Sequence, residues 1–262
     1  DGETKEESNA ANTAATAEEV YNDDIYVGYR FFDTFGKKVA YEFGYGESYT
    51  DFDIKVKTVK ADAENISVVA EVKNTGKVTG KEVVEVYFSA PEGNLDKPYQ
   101  ELAGYAKTDE LAPGESQVLT ITYDTTEMGS YDTDKAAYVM EDGDYIIRVG
   151  NSSRNTHVAG KISVAEDTIT EQYSNLMVPV TENPNIKNDE KYPTLNPMTT
   201  DGATPITYAG EEAEIAAAST IDVDFSDYKA PVIKKENEDV TVYTSDTTEE
   251  KYLIAENKDG AT

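Results

Sequence analysis

The sequence predicts an all-β protein, an antiparallel β-sandwich whose acidic flanks are poorly structured. Between residues 52 and 165, short segments that alternate apolar and polar side chains follow one another, with turn residues between them. Residues 25–165 hold 12 of the 19 tyrosines and 6 of the 7 phenylalanines, and therefore the material for a core. Most of the net charge of −29 lies outside it, in residues 1–24 and 166–262.

Both flanks are interpreted as extended polar segments. Residues 1–21 are small, polar and acidic and have almost nothing to bury, which predicts a flexible leader. Residues 166–262 hold short apolar pieces among prolines and acidic residues, so we expect an acidic extended strap or linker between domains. Within this strap, Glu211–Ala218 is expected to form a short helix.

Residues 22–51 are predicted to be a junction ahead of the sandwich. Alternation in Ile25–Phe31 predicts a strand. Phe43–Thr50 then places two glycines among aromatic side chains, which indicates a backbone that turns tightly or lies close to another surface. We therefore expect a contact region here rather than an active site.

Seven segments of the sandwich have the alternation of strands, with one long connection among them. Ala90–Leu102 contains two prolines, so it is expected to cross between the two sheets rather than to form a central strand. Tyr145 begins a strand and is predicted to tie a corner of the sandwich through its hydroxyl. The predicted strands are Phe52–Val56, Ile66–Val72, Val83–Phe88, Leu119–Tyr123, Ala136–Met140, Tyr145–Val149 and Val158–Val164.

Two motifs of the junction resemble a known family. Gly28–Asp33 reads Gly-Tyr-Arg-Phe-Phe-Asp, and Phe43–Thr50 reads Phe-Gly-Tyr-Gly-Glu-Ser-Tyr-Thr. They are similar to the segment of glycoside hydrolase family 3, the β-glucosidase family, where the α/β sandwich domain ends and a fibronectin type III-like domain begins. Glu47 stands where that family usually has leucine.

Five further motifs follow in the order expected of that fibronectin type III-like domain. They are Val72–Gly76, Val83–Tyr87, Lys97–Tyr105, Leu111–Glu115 and Arg148–Gly150. The resemblance thus covers residues 22–165 and implies an immunoglobulin/fibronectin type III-like sandwich for residues 52–165. In a permuted minority of the family the catalytic barrel follows this domain, so the resemblance implies that residues 166–262 lead toward such a barrel.

The resemblance also implies a parent enzyme that is a retaining β-glucosidase without a metal or another cofactor. The family's nucleophile lies in a Ser-Asp-Trp motif and a second motif reads Lys-His, but this chain has no tryptophan, and its single histidine, His157, follows Thr156. We therefore expect no catalytic residues here and no activity of the chain alone. His157 by itself is predicted to be a solvated surface residue rather than a metal ligand or a base.

The leading interpretation is a non-catalytic accessory domain that docks the catalytic barrel and the α/β sandwich domain of the same enzyme. The residues expected to make this contact are Tyr29, Arg30, Phe43, Tyr45, Tyr49, Pro98 and Tyr99. The alternative is a module that binds a carbohydrate, such as a β-glucoside or polysaccharide, or a cell-surface partner. Tyr99 and Tyr105 are its candidate sugar contacts. Binding predicts a row of exposed aromatic side chains on a sheet face or loop tip, whereas docking predicts apolar surface only near the junction and the proline-rich loop.

The composition excludes several other classes of function. A sequence pI of about 4.2 argues against binding nucleic acid or anionic membranes, because both require a basic face, while neutral sugars remain compatible. The chain has no cysteine and therefore neither a disulfide frame nor a thiolate metal site. Its apolar runs are far shorter than the roughly 20 residues of a membrane span, so no membrane insertion is expected.

Overall fold

A computed structural model describes residues 23–173, 198–200 and 202–232, together with the backbone of two further strands. The leader expected at residues 1–21 lies outside the described residues. In chain order the strands are β1 Phe52–Ala61, β2 Asn65–Asn74, β3 Val83–Ser89, β4 Glu101–Lys107, β5 Ser116–Asp124, β6 Ser130–Asp132, β7 Ala137–Met140, β8 Gly143–Gly150, β9 Thr156–Val164, β10 Thr168–Gln172, β11 Thr220–Val223, β12 Val240–Thr244 and β13 Leu253–Asn257. The helices are α1 Tyr29–Thr34, α2 Glu211–Ala217 and a 3-10 turn at Thr125–Met128.

The predicted β-sandwich is confirmed. A three-stranded sheet of order β1-β2-β5 faces a five-stranded sheet of order β11-β9-β8-β3-β4, and a small sheet of order β10-β7-β6 stands beside them. Alternation explains the layers, because every second residue of β2 points inward: Ile66, Val68, Ala70 and Val72 are all fully buried. They pack in one core with apolar residues of the opposite sheet, such as Val84, Val86 and Ile147.

The strand predicted at Ile25–Phe31 is wrong, because residues 29–34 form helix α1. Gly28 has φ 61° and ψ −131°, a conformation that interrupts an extended path and that glycine adopts without strain. The amides of Phe31 and Phe32 both donate to the Gly28 carbonyl, which starts the helix. The rings of Phe31 and Phe35, four residues apart in sequence, then lie with their centroids 5.1 Å apart.

The crossing role predicted for Ala90–Leu102 is also wrong. The segment ends at Gln100, and β4 pairs antiparallel with β3, so the connection returns to the sheet that it left. A salt bridge between the Lys97 ammonium and the buried Glu141 carboxylate, and hydrogen bonds to Glu141 from the amides of Asn94 (2.7 Å) and Leu95, hold it in this path. Two prolines indicated irregular backbone correctly, but they do not define where a loop leads.

Two local predictions are confirmed. The Tyr145 hydroxyl donates to the Glu141 carbonyl at 3.2 Å, so it ties the predicted corner. Helix α2 lies where the short helix was expected. The chain then continues into β11, which pairs parallel with β9 and adds an edge strand to the five-stranded sheet. Residues 202–232 therefore lie back against the sandwich.

Candidate interdomain docking surface

A buried ion pair joins the junction to the sandwich. Asp33, at the end of α1, is 1% exposed, and the Arg154 Nε atom donates to its Oδ1 atom at 2.7 Å. Arg154 lies in the turn between β8 and β9, and its Nη2 atom also donates to the Lys37 carbonyl at 2.8 Å. The amide nitrogen of the buried Gln100 side chain lies 3.4 Å from the second Asp33 oxygen. The junction is therefore held in a fixed position on the sheet.

Helix α1 is also tied to the start of β4. The Leu102 amide donates to the Tyr29 hydroxyl at 2.8 Å, and the Tyr99 amide donates to the Thr34 hydroxyl at 2.8 Å. The Tyr29 ring stacks on Phe43 with centroids 4.9 Å apart. These contacts join the two halves of the junction to each other and to the sandwich.

The Phe43-Gly44 turn lies directly over a buried acid of β3. The Phe43 carbonyl accepts a hydrogen bond from the Ser153 amide at 2.8 Å, which brings Gly44 against Glu85. Glu85 is 7% exposed and accepts a hydrogen bond from the Tyr87 hydroxyl at 2.6 Å. Burial raises the pKa of the Glu85 carboxyl above its usual value, although the Tyr87 hydrogen bond opposes that shift.

Gly44 is therefore expected to be intolerant of a side chain, in contrast to Gly46 of the same motif. Gly44 has φ 81°, and a Cβ there would lie 2.5 Å from the Glu85 carboxylate oxygens, whereas a Cβ on Gly46 would meet nothing within 4 Å. We expect Gly44→Ala to lower the free energy of unfolding by about 1–3 kcal/mol. Gly46→Ala is the matched control and is expected to stay at or above wild-type stability. Urea denaturation of both variants measures this, and equal stability would contradict the close approach.

The junction also exposes several aromatic rings to solvent. Tyr45 and Phe43 are each about half exposed, Tyr41 is 63% exposed and Tyr49 is 96% exposed. The Tyr41 and Tyr45 rings lie 5.0 Å apart. The predicted docking residues thus divide into two groups. Phe43, Tyr45 and Tyr49 face solvent, whereas Tyr29, Arg30 and Tyr99 are partly buried and Pro98 is buried.

A second buried ion pair joins helix α2 to the sheet. Arg148 of β8 is 2% exposed, and its Nη2 atom lies 2.5 Å from the Glu211 Oε1 atom. The guanidinium lies over the Tyr99 ring, 4.8 Å from its centroid, and the Tyr99 hydroxyl donates to the same Glu211 oxygen at 2.6 Å. Arg148 Nε donates to the Ser89 hydroxyl. Its Nη1 atom has no hydrogen-bond partner among the described residues.

The comparison with known proteins agrees with this architecture. Residues 82–153 match the family model of the fibronectin type III-like domain. The chain carries a fibronectin type III-like domain. Over 182 residues it is 43% identical to β-glucosidase A of Butyrivibrio fibrisolvens, a match that covers 61% of this chain and 22% of that protein.

Two solved structures extend the likeness to three dimensions. A β-glucosidase from Paenibacillus barengoltzii is similar with a TM-score of 0.58 and 45% identity, over 62% of this chain and 20% of that one. The GH3 β-glucosidase of Bifidobacterium adolescentis gives a TM-score of 0.51 and 34% identity, over 55% of this chain and 21% of that one. The resemblance to a segment of glycoside hydrolase family 3 is thus confirmed for this part of the chain. The chain spans about a fifth of the length of the relatives that it matches.

The two candidate sugar contacts of this fibronectin type III-like domain differ in their exposure. Tyr105 is 70% exposed on β4, whereas Tyr99 is partly buried beneath Arg148. His157 is on the surface as predicted, and its Nδ1 atom lies 3.0 Å from the Glu214 carboxylate. Across the part of the chain that the structure describes, no three His, Asp or Glu side chains are grouped to hold a metal ion. No helix in that part is long and apolar enough to span a membrane.

The charged residues that join the junction and helix α2 to the sandwich were not identified from the sequence. Asp33, Arg154, Arg148 and Glu211 were not among the candidate residues. Asp33 and Arg148 did carry a signal, since each ends or begins a motif of the resembling family. Arg154 and Glu211 carried none, because a single charged residue in a turn or at the start of a short helix is usually solvated.

Proposed function

We propose that this chain is a non-catalytic accessory domain of a β-glucosidase-like glycoside hydrolase, and that its junction surface docks the catalytic domains of the same enzyme. The partners would be the catalytic barrel and the α/β sandwich domain, and the parent would cleave a terminal β-linked sugar with retention. In this proposal residues 52–165 are the accessory domain, residues 22–51 are the junction and residues 166–262 are the strap that leads to the next domain.

The observation that carries the proposal is the group of exposed aromatic rings on the junction, which ion pairs and hydrogen bonds fix to the sandwich. Tyr41, Phe43, Tyr45 and Tyr49 expose large rings on a segment without a hydrophobic core of its own. Aromatic residues are enriched where proteins meet, because a ring buries a large area with little loss of side-chain entropy. The Asp33–Arg154 pair fixes this segment on the sheet, so a partner would meet a preorganised surface.

Two features support docking over catalysis by this chain. Its acids are numerous, but a retaining glycosidase needs two carboxyl groups about 5–5.5 Å apart on a rigid support, across a cleft that holds the sugar. The buried acids of the described residues make other contacts: Asp33, Asp132, Glu141 and Glu211 are each paired with a cation, and Glu85 accepts a hydrogen bond from the Tyr87 hydroxyl. The motifs that carry the catalytic groups of the resembling family are also missing from this sequence.

The test mixes this chain with a fragment of a related β-glucosidase that contains the barrel and the α/β sandwich domain but lacks its own fibronectin type III-like domain. We expect the chain alone to leave a chromogenic β-glucoside intact and to raise the melting temperature or the activity of the fragment. Tyr45→Ser/Tyr49→Ser should abolish this rise, whereas Tyr105→Ser on β4 should not.

Two outcomes would overturn the proposal separately. Hydrolysis by the chain alone would mean that the chain itself holds a catalytic carboxylate pair and is not merely an accessory domain. Failure to bind or stabilise the fragment, with the chain folded, would remove the docking role and leave the fold unaffected.

A further inference from the structure

The small sheet presents a second group of aromatic side chains, separate from the junction. The rings of Tyr131, Tyr138 and Tyr173 form a mutual cluster, called here the tyrosine cluster. The centroid of Tyr138 lies 5.2 Å from that of Tyr131 and 5.9 Å from that of Tyr173, and the third pair is 6.4 Å apart. Tyr131 and Tyr138 are 40% and 39% exposed.

The topology explains why these rings share one face. Tyr131 of β6 and Tyr138 of β7 are directly opposite in the antiparallel ladder, so both side chains leave the same side of the sheet. Their neighbours Ala137 and Val139 point the other way and are buried. The Tyr173 amide donates to the Ala136 carbonyl at 2.8 Å, which places the third ring beside the pair.

An acidic side chain, Glu171, borders the cluster and holds the Tyr173 ring in position. Glu171 is opposite Tyr138 in the ladder, and its carboxylate accepts a hydrogen bond from the Tyr173 hydroxyl. This hydrogen bond raises the pKa of Tyr173 to about 12, so the hydroxyl remains a neutral donor. The surface thus combines apolar ring faces with hydroxyl groups and a carboxylate at the rim.

We propose that the tyrosine cluster binds a neutral polysaccharide. A sugar ring has an apolar face of C–H groups and an edge of hydroxyls, which matches aromatic faces bordered by acceptors. Tyrosine suits this task better than phenylalanine or leucine, because each ring keeps a polar end. The chain's net charge of −29 and the carboxylate at the rim would repel an anionic polymer, whereas neutral hydroxyl groups can donate to Glu171.

The size of the cluster argues against a protein partner or a second copy of the chain. A tyrosine ring offers about 150–250 Å² when fully exposed, so two rings exposed by two fifths offer of the order of 120–200 Å². A stable protein interface needs about 800 Å² from each partner and a core depleted of charge. A ring-sized ligand needs far less area. This proposal goes beyond the docking function and does not depend on it.

Affinity electrophoresis of the full 262-residue chain in native gels with a neutral mixed-linkage β-glucan tests the proposal. We expect the β-glucan to retard the chain, and polygalacturonic acid, an anionic polymer, to leave its migration unchanged. Tyr131→Ala/Tyr138→Ala should weaken retardation by about tenfold or more, as loss of central aromatic contacts does. The matched control is Tyr105→Ala, which removes one exposed tyrosine on β4 and should behave as wild type.

A second measurement needs no substitution, in case the double variant unfolds. Tyrosine rings labelled with ¹³C are observed by NMR while a soluble β-glucan oligosaccharide is added to the wild-type chain. We expect shifts confined to three tyrosines, which the single variants Tyr131→Phe and Tyr138→Phe assign in part. No retardation and no ring shifts, shifts at the junction tyrosines instead, or a dimer that the double variant abolishes would each overturn the proposal.

Discussion

Replacing Arg154 with methionine is expected to lower the free energy of unfolding by about 3–5 kcal/mol, the cost of leaving one partner of a buried ion pair alone. Methionine keeps the length of the apolar stem, so the change removes mainly the charge and its hydrogen bonds. The Asp33 side chain is 2% exposed, and the only side-chain donor left to its carboxylate among the described residues would be the Gln100 amide. Urea denaturation followed by circular dichroism measures the change.

The control for this prediction is Arg30→Met in the same junction. Arg30 also pairs with an acid, Glu101, at 3.3 Å, but its side chain is 40% exposed. Exposed pairs contribute about 0–1 kcal/mol, so this variant should remain close to wild type. The double variant Arg154→Met/Asp33→Leu should regain part of the free energy of unfolding that Arg154→Met loses, because no unpaired buried charge remains. Equal destabilisation by Arg154→Met and Arg30→Met would contradict the prediction.

The sandwich could be predicted from the sequence because its strands obey a simple local rule. The sheet of β1, β2 and β5 exposes one face to solvent and packs the other on the core, so apolar and polar residues alternate along each strand with a period of two. The same rule failed at Ile25–Phe31, where Val27 is exposed, Tyr26 is buried and the chain enters helix α1 at Tyr29. The positive φ of Gly28 ends the extended path ahead of the helix, and a backbone angle is not visible in a sequence.

The anchors of the candidate surface could not be predicted, because they join residues that are distant in sequence. Asp33 and Arg154 are 121 residues apart, and Arg148 of β8 and Glu211 of α2 are likewise distant in sequence. Residues 166–262 were interpreted as extended on the basis of their charge. Strand β11 has only four residues and pairs parallel with β9, so it gave no alternation long enough to recognise.

The Glu211 carboxylate is expected to stabilise the protein by pairing with the buried Arg148 guanidinium. In Glu211→Gln the Arg148 guanidinium would stay 2% exposed and lose its counterion, while its Nη1 atom already lacks a hydrogen-bond partner among the described residues. An uncompensated buried charge costs about 3–5 kcal/mol, so this variant should unfold at a clearly lower urea concentration. Glu212→Gln is the matched control, since it makes the same chemical change at the next, exposed position of α2 and should have little effect.

Hydrogen exchange distinguishes a local from a global consequence of losing Glu211. Helix α2 and β11 lie on one short segment, and β11 is held at the sheet edge by a single neighbour, β9. If the Arg148–Glu211 pair fastens this segment, the amides of Thr220–Val223 should exchange faster in Glu211→Gln than in Glu212→Gln, while β2 in the opposite sheet stays protected. Equal exchange in both variants would mean that β11 is held by its ladder alone.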